Sequence, residues 1–313
     1  MKKVTILGIP LDLGAENLGV DIGPNAFRYQ KIAEKLTQVG FTVTDKGNIE
    51  CRPRKSLKVG NPKLKYLKEI LRVSEVSAKT TFQAVQKEEK VVALGGDHSL
   101  CLGVISGASV ALDGQLGLIY LDAHGDMNTV KTTLTGNIHG MPLAALMGFG
   151  DSKLTNVYKA KTKIAKENML HIGGNDFDPG ELELIEKEKL QCFKTFDMLS
   201  DGLKPLFERI NTLSKQVNNI WVSLDLDVID ELYAPGVGMP NKAGLTYREI
   251  TTITEYIGKH CNVVGIDIDE YNPLTDVDGK TAELGIELIA KVLGGSYSWY
   301  TSYMEKNKMK RGD

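Results

Sequence analysis

The chain is poor in the features that mark a membrane, secreted or nucleic-acid-binding protein. No stretch approaches the ~20 consecutive apolar residues of a membrane span. The apolar run after Met1-Lys2-Lys3, Val4–Leu11, is cut by Asp12 after eight residues, and no small-residue cleavage site follows. A secretory leader is therefore not expected. Cysteine is scarce: Cys51, Cys101, Cys192 and Cys261 are too far apart for a CxxC metal knuckle, and they read as reduced core thiols of a cytoplasmic protein. Excess charge is lacking too. Lys and Arg number 38 against 40 Asp and Glu, a net charge of -2 with a pI near 6.3. The lysines are dispersed apart from short clusters at Arg52–Lys58 and Lys306–Arg311. Such a balance offers no footprint to a polyanion and argues against nucleic acid as a partner. Internal repeats, low-complexity segments and an interdomain linker are absent, and the tail from Tyr300 to Asp313 carries no readable interface.

What remains is an ordinary globular composition, 42% hydrophobic and 25% charged, over 313 residues, a length that α/β folds reach as one domain. Short β-branched runs recur at Val4–Ile9, Phe41–Thr44, Val91–Leu94, Leu116–Leu121, Met169–Ile172, Gln191–Lys194, Ile220–Leu226 and Val263–Ile268. Helix-like segments lie between them, at Asn25–Val39, Lys63–Lys87, Tyr247–Lys259 and Thr281–Leu293. The alternation predicts an α/β fold: a parallel sheet of about eight strands with helices on both faces, in one domain spanning residues 1–313. Glu50–Pro62 and Tyr271–Lys280, the least regular stretches, read as surface loops.

Polar residues gather where these strands end: Asp97-His98, Asp122 to Asp126, Asp225 to Asp227 and Asp267 to Glu270. Ligands of open parallel sheets bind just outside the carboxyl ends of strands, so these residues are expected to converge on one cleft. In Leu121-Asp122-Ala123-His124-Gly125-Asp126 the polar residues fall at i, i+2 and i+4, one face of an extended chain. Ser223-Leu224-Asp225-Leu226-Asp227 repeats the spacing with two carboxylates, and Gly95-Gly96-Asp97-His98-Ser99 adds an imidazole. The resulting set is His98, Asp122, His124, Asp126, Asp225 and Asp227. Clustered aspartates without cationic partners repel and lose hydration, whereas two divalent cations neutralise them. Oxygen-rich ligands with imidazole and no thiolate favour Mn2+ over structural zinc, with Co2+, Ni2+ and Fe2+ as alternatives. Paired ions activate water for hydrolysis.

These segments resemble the GGDHS, DAHxD and SxDxD motifs of the ureohydrolase family, which comprises arginases, agmatinases and relatives. Gly8-Ile9-Pro10, Gly19-Val20-Asp21-Ile22-Gly23-Pro24 and Gly244-Leu245-Thr246-Tyr247-Arg248-Glu249 extend the likeness along the chain. The resemblance implies the three-layer α/β/α sandwich shared with deacetylases, and two manganese ions per chain. One ion would sit on His98 and Asp126, the other on His124 and Asp227, with Asp122 and Asp225 bridging. Arginases of the bacterial type are most similar, because Asp126-Met127-Asn128-Thr129 runs into Thr135-Gly136-Asn137-Ile138-His139-Gly140. By that likeness the substrate is L-arginine, cleaved to L-ornithine and urea by a hydroxide shared between the ions. Asn128 and Thr135 would meet its α-carboxylate and Asp178 and Glu181 its α-amino end. Glu270 would orient the guanidinium, Asp126 would hold the attacking hydroxide, and His139 would shuttle protons. A homotrimer or homohexamer is also implied.

The chain departs from the family pattern at Glu16-Asn17, Asn175 and Glu231, where relatives often carry arginines or a proline. An agmatinase or another guanidino-compound hydrolase remains an alternative, as does a non-catalytic descendant that binds metal or an amino acid. A mononuclear zinc deacetylase is disfavoured, since six ligands exceed one ion's needs. His171 and His260 lack a motif and read as a strand-end core residue and a helix-end surface residue.

Overall fold

Every run predicted as a strand forms one in the computed structural model, which describes residues 2–159 and 162–296. The basic cluster at Lys306–Arg311 and the tail from Tyr300 lie outside the described residues. The strands are β1 (Lys2–Ile9), β2 (Phe41–Asn48), β3 (Gly60–Asn61), β4 (Leu64–Lys65), β5 (Lys90–Gly95), β6 (Gly117–Leu121), β7 (Met169–Ile172), β8 (Cys192–Phe193), β9 (Ile220–Asp225) and β10 (Val263–Asp269). β3 and β4 form a separate antiparallel hairpin. The other eight make one sheet in the order β2-β1-β5-β10-β9-β6-β7-β8, parallel at every pairing. The four strands that lead into the polar segments, β5, β10, β9 and β6, are consecutive neighbours at its centre.

Helices are α1 (Gly23–Tyr29), α2 (Ile32–Gln38), α3 (Leu67–Val85), α4 (Cys101–Ala111), α5 (Pro142–Leu146), α6 (Ser152–Thr155), α7 (Pro179–Glu188), α8 (Thr195–Asp201), α9 (Lys204–Gln216), α10 (Tyr247–His260) and α11 (Lys280–Val292). Strand side chains alternate between two cores, as a pleated strand requires. Val4, Ile6, Val92, Leu94, Ile266 and Ile268 join α1, α2, α9, α10 and α11. Leu7, Ile9, Val91, Ala93, Leu118 and Trp221 join α3, α4 and α5. The result is the expected α/β/α sandwich.

Several boundaries differ from the sequence expectation. Asn25–Val39 is two helices, because Lys31 takes a left-handed φ of 61° between them, and neither Gly nor Pro announces the break. Lys63–Lys87 loses its first residues to the β3–β4 hairpin. The helix α4 carries no polar stripe, being buried on all sides between α3 and the sheet, so its periodicity is unreadable. Gly103 and Gly107 admit α3 to close range: a Cβ there would lie 2.0 Å from Ser77 Oγ and 2.2 Å from the Ala78 carbonyl. Cys101 is the one fully buried thiol, while Cys51, Cys192 and Cys261 are partly exposed. Tyr271 and Asn272, expected in a surface loop, are buried. Among the described residues no helix is long and apolar enough to cross a membrane.

Ile253 on α10 is fully buried in the core, far in sequence from the polar segments. Ile253→Ala should cost ~2–5 kcal/mol of unfolding free energy by deleting buried methylenes and leaving a cavity. Denaturant titration would show a lower midpoint, with metal content unchanged under native conditions.

Candidate active site

Asx turns set the geometry at the strand ends. Asp97 Oδ1 accepts the Ser99 N–H at 3.0 Å, Asp122 Oδ1 that of His124 at 2.7 Å, and Asp225 Oδ1 that of Asp227 at 2.8 Å. Each aspartate thereby turns the chain two residues on. The predicted extended face is thus replaced by a different device. β6 stops at Leu121 and Asp126 lies in the left-handed region at φ 51°, while Asp227 sits in a 3-10 turn after β9.

All six predicted ligands converge. His98 Nδ1 lies 3.0 Å from Asp122, 3.1 Å from Asp126 and 3.3 Å from Asp225. His124 Nδ1 lies 3.4 Å from Asp122 and 3.1 Å from Asp227. Asp122 is thus shared between two groups of potential ligands, His98-Asp122-Asp225 and Asp122-His124-Asp227. Burial, with the charges of Asp126 and Asp227, pushes the Asp122 carboxyl up to about 6. Burial and the charges of Asp227 and Asp122 carry Asp225 well above its ordinary range. Burial disfavours charge on His98 and His124 as well, but the surrounding aspartates outweigh it and raise both. Asp126 is buried too, yet hydrogen bonding with His98 and Tyr120 leaves it below the ordinary value. Asp122 Oδ2 is buried with no hydrogen-bond partner. Hard oxygen donors, two imidazoles and an orphaned carboxylate oxygen fit divalent cations well.

Sequence reasoning assigned no role to the layer behind these ligands. The Tyr120 hydroxyl donates to Asp126 Oδ2 at 2.7 Å. His98 Nε2 lies 2.9 Å from Ser223 Oγ, Ser223 donates to Asp267, and the Trp221 indole donates to the other oxygen of Asp267. Asp269 Oδ2 stands 3.5 Å from His98 Nε2. Asp267 and Asp269 fall in the polar segment expected at the cleft and Ser223 in the segment that carries Asp225 and Asp227, but nothing in the sequence tied them to His98.

A cavity of about 360 Å3 opens onto the cluster, lined by His124, Asp126, Asn128, Thr135, His139, Asp178, Glu181, Asp225, Asp227 and Glu270 among others. Asp176, Thr133 and Asn137 also line it and were not singled out beforehand. Its wall holds eight carboxylate side chains and no Lys or Arg, the electrostatics of a site for a cation. Asn128 Nδ2 donates to Asp178 Oδ2 at 2.7 Å, leaving its buried Oδ1 unpaired. Glu181 has both oxygens on backbone N–H groups, Met127 at 2.9 Å and Asp178 at 2.8 Å, and burial raises it to about 7. Glu270, at φ 59°, accepts from the His98 N–H at 2.9 Å and lies 3.2 Å from His139 Nδ1 through the same Oε1. Its Oε2 faces Gly238 across the cavity wall. Burial opposes a charge on His139, but Glu270 prevails and lifts it to about 9. His171 is buried against the His124 carbonyl at 2.7 Å, and burial lowers it to about 4. His260 is exposed at the end of α10.

Fold and site define a class: a parallel-sheet sandwich whose strand ends hold a two-centre cluster of carboxylates and imidazoles under an acidic cavity. The chain belongs to the arginase family, whose model matches residues 2–294. It is 38% identical to an arginase of Brevibacillus brevis over 94% of this chain and 98% of the relative. An arginase of Bacillus caldovelox is 36% identical over 94% and 99%. The native crystal structure of Bacillus caldovelox arginase superposes with a TM-score of 0.91, at 35% identity, covering 95% of this chain and all of the other.

Metal and protons compete here, with a defined sign. In the metal-free protein the stability contributed by the raised His98 and His124 is present below their ordinary pKa and lost as pH climbs from there towards the raised values. Asp122, raised to about 6, likewise loses its contribution as pH rises towards 6. Divalent ions replace these protons, so the gain in Tm on adding Mn2+ should widen between pH 6 and pH 9. At one hundred times Kd the gain corresponds to roughly 2.7 kcal/mol per site. Thermal unfolding with and without Mn2+ measures it, and a gap that narrows with pH contradicts the assignment.

Proposed function

We propose that this enzyme hydrolyses L-arginine to L-ornithine and urea, as a single catalytic domain with two manganese ions. The carrying observation is the acidic cavity that ends on the paired ligand groups. His98, Asp122, His124, Asp126, Asp225 and Asp227 would hold the ions, which supply acidified water and stabilise negative charge when bound. The remaining steps belong to the chain. Glu270 receives the guanidinium, with Oε1 steadied by the His98 N–H and Oε2 facing the cavity, and so sets its carbon against the ligand cluster. Asp126, steadied by Tyr120, takes the proton lost by the attacking water. The leaving nitrogen of ornithine needs a proton, and His139, partly exposed beside Glu270, exchanges protons between cavity and solvent. Asn128 and Thr135 donate to the α-carboxylate. Asp178 pairs with the α-ammonium, and Glu181 holds the Asp178 backbone in place. Family membership supports extending the reading to a cytoplasmic homotrimer or homohexamer acting in arginine breakdown.

L-Arginine should exceed agmatine by about tenfold or more in kcat/KM, because agmatine leaves the carboxylate-binding groups unpaired. Urea release from metal-stripped protein resupplied with Mn2+ tests this, and agmatine cleaved as well as arginine would overturn the assignment.

His139→Ala should lower kcat about tenfold or more while two ions stay bound. Metal analysis of that variant is the control, and a loss of metal would move His139 into the ligand set.

A further inference from the structure

A substrate with an α-carboxylate must seat an anion in a cavity whose own wall carries eight carboxylates and no Lys or Arg. Cations stand directly behind part of that wall. Lys65 Nζ donates to Glu16 Oε1 at 2.6 Å and to Asn137 Oδ1 at 3.0 Å, and both partners line the cavity. Lys63 Nζ donates to the Thr133 carbonyl at 2.5 Å and Arg54 Nη2 to that of Ala15 at 2.7 Å, two more lining residues. By contrast, among the described residues no Lys or Arg pairs with Asp176, Asp178 or Glu181. The cavity is therefore polarised, with cations behind one part of its wall and, on another, carboxylates that no Lys or Arg among the described residues offsets. An α-amino acid has the same division.

We propose, on the arginine reading above, that Lys65 is a specificity-determining residue: its ammonium offsets the α-carboxylate of an incoming amino-acid guanidine. Glu16 is the partner that the substrate carboxylate displaces. Exposure supports this division of labour, since the Glu16 side chain is 65% exposed and that of Lys65 only 22%. The lysine is held by its hairpin. Lys65 N–H donates to the Gly136 carbonyl at 3.0 Å, and a Cβ on Gly136 would sit 1.8 Å from the Pro62 carbonyl, so only glycine lets β3–β4 seat there. Arg54 stacks 5.2 Å from the Tyr66 ring centre and ties the segment down further. An ammonium can only donate. The Asn137 atom it touches is therefore the oxygen, which leaves the Asn137 NH2 as the donor available to a carboxylate.

The experiment is steady-state urea release by the Mn2+-loaded protein with L-arginine and agmatine, for wild type, Lys65→Met and Lys65→Arg. Lys65→Met should raise KM for arginine about fivefold, the size of a partly exposed ion pair. It should leave kcat within about twofold, and KM for agmatine, which has no anion, should stay level or fall. Lys65→Arg should restore most of the arginine preference, and wild-type KM for arginine should rise with salt more steeply than that of Lys65→Met. Equal losses on both substrates, or a lower kcat with an unchanged arginine-to-agmatine ratio, would make Lys65 only a brace for the 133–137 loop and overturn the proposal. Wild-type protein with no preference for arginine would instead remove the reading on which it rests.

Discussion

Mutual repulsion among buried carboxylates at four adjacent strand ends governs this molecule. Asp122, Asp126, Asp225 and Asp227 are each at most 6% exposed, and among the described residues their ion-pair partners are the imidazoles of His98 and His124. Burying several unpaired charges costs more than a domain's whole margin of stability, so the cluster persists through protons or through divalent ions. A parallel sheet makes the crowding possible, because it ends all of its strands on the same side. The order β5-β10-β9-β6 then places segments from residues 95 to 270 within bonding distance. Asx turns complete the device by spending one oxygen of Asp122 and one of Asp225 on the backbone and pointing the other inward.

The layer behind the ligands decides which nitrogen of His98 is offered. Asp267 can only accept, and it accepts from both Trp221 and Ser223. With its single proton so committed, Ser223 Oγ must accept from His98 Nε2. The Nε2 proton is therefore fixed, and Nδ1, whose proton faces Asp122, Asp126 and Asp225 in the charged ring, is the nitrogen freed for a cation when that proton leaves. Trp221 is seated by Gly265, where a Cβ would lie 2.3 Å from its ring. A core glycine on β10 thus supports the tautomer of a residue on the neighbouring strand's turn.

Much of this was legible in the sequence because it depends on local spacing. Short apolar, β-branched runs marked all eight strands of the sheet, and acid and imidazole residues just after four of them marked the cleft. What stayed hidden depends on packing. α4 is apolar on every side and gives no phase, and Lys31 breaks a helix with a backbone angle that its residue type does not announce. Ser223 and Tyr120 matter through partners brought in from other strands. The β3–β4 hairpin looked like the start of a helix and a featureless loop, yet it puts Lys63 and Lys65 against the 133–137 segment.

Recognition and chemistry share parts in this fold. Glu181, in the first turn of α7, completes the capping box with the N-cap Asp178 by accepting the Asp178 N–H, and its other oxygen accepts the Met127 N–H beside Asp126. Gly125 is required for that closeness, since a Cβ there would lie 2.7 Å from the Glu181 carboxyl carbon. One buried carboxylate therefore joins the wall that carries Asp178 to the loop that carries Asp126. Glu270 does the same on the other side, binding the His98 N–H while facing His139. Asp178 and Glu270 are in this way each linked to a backbone that bears a member of the cluster. The two walls of the cavity are thus fastened to the ligand cluster through two carboxylates that each hold a backbone N–H beside it.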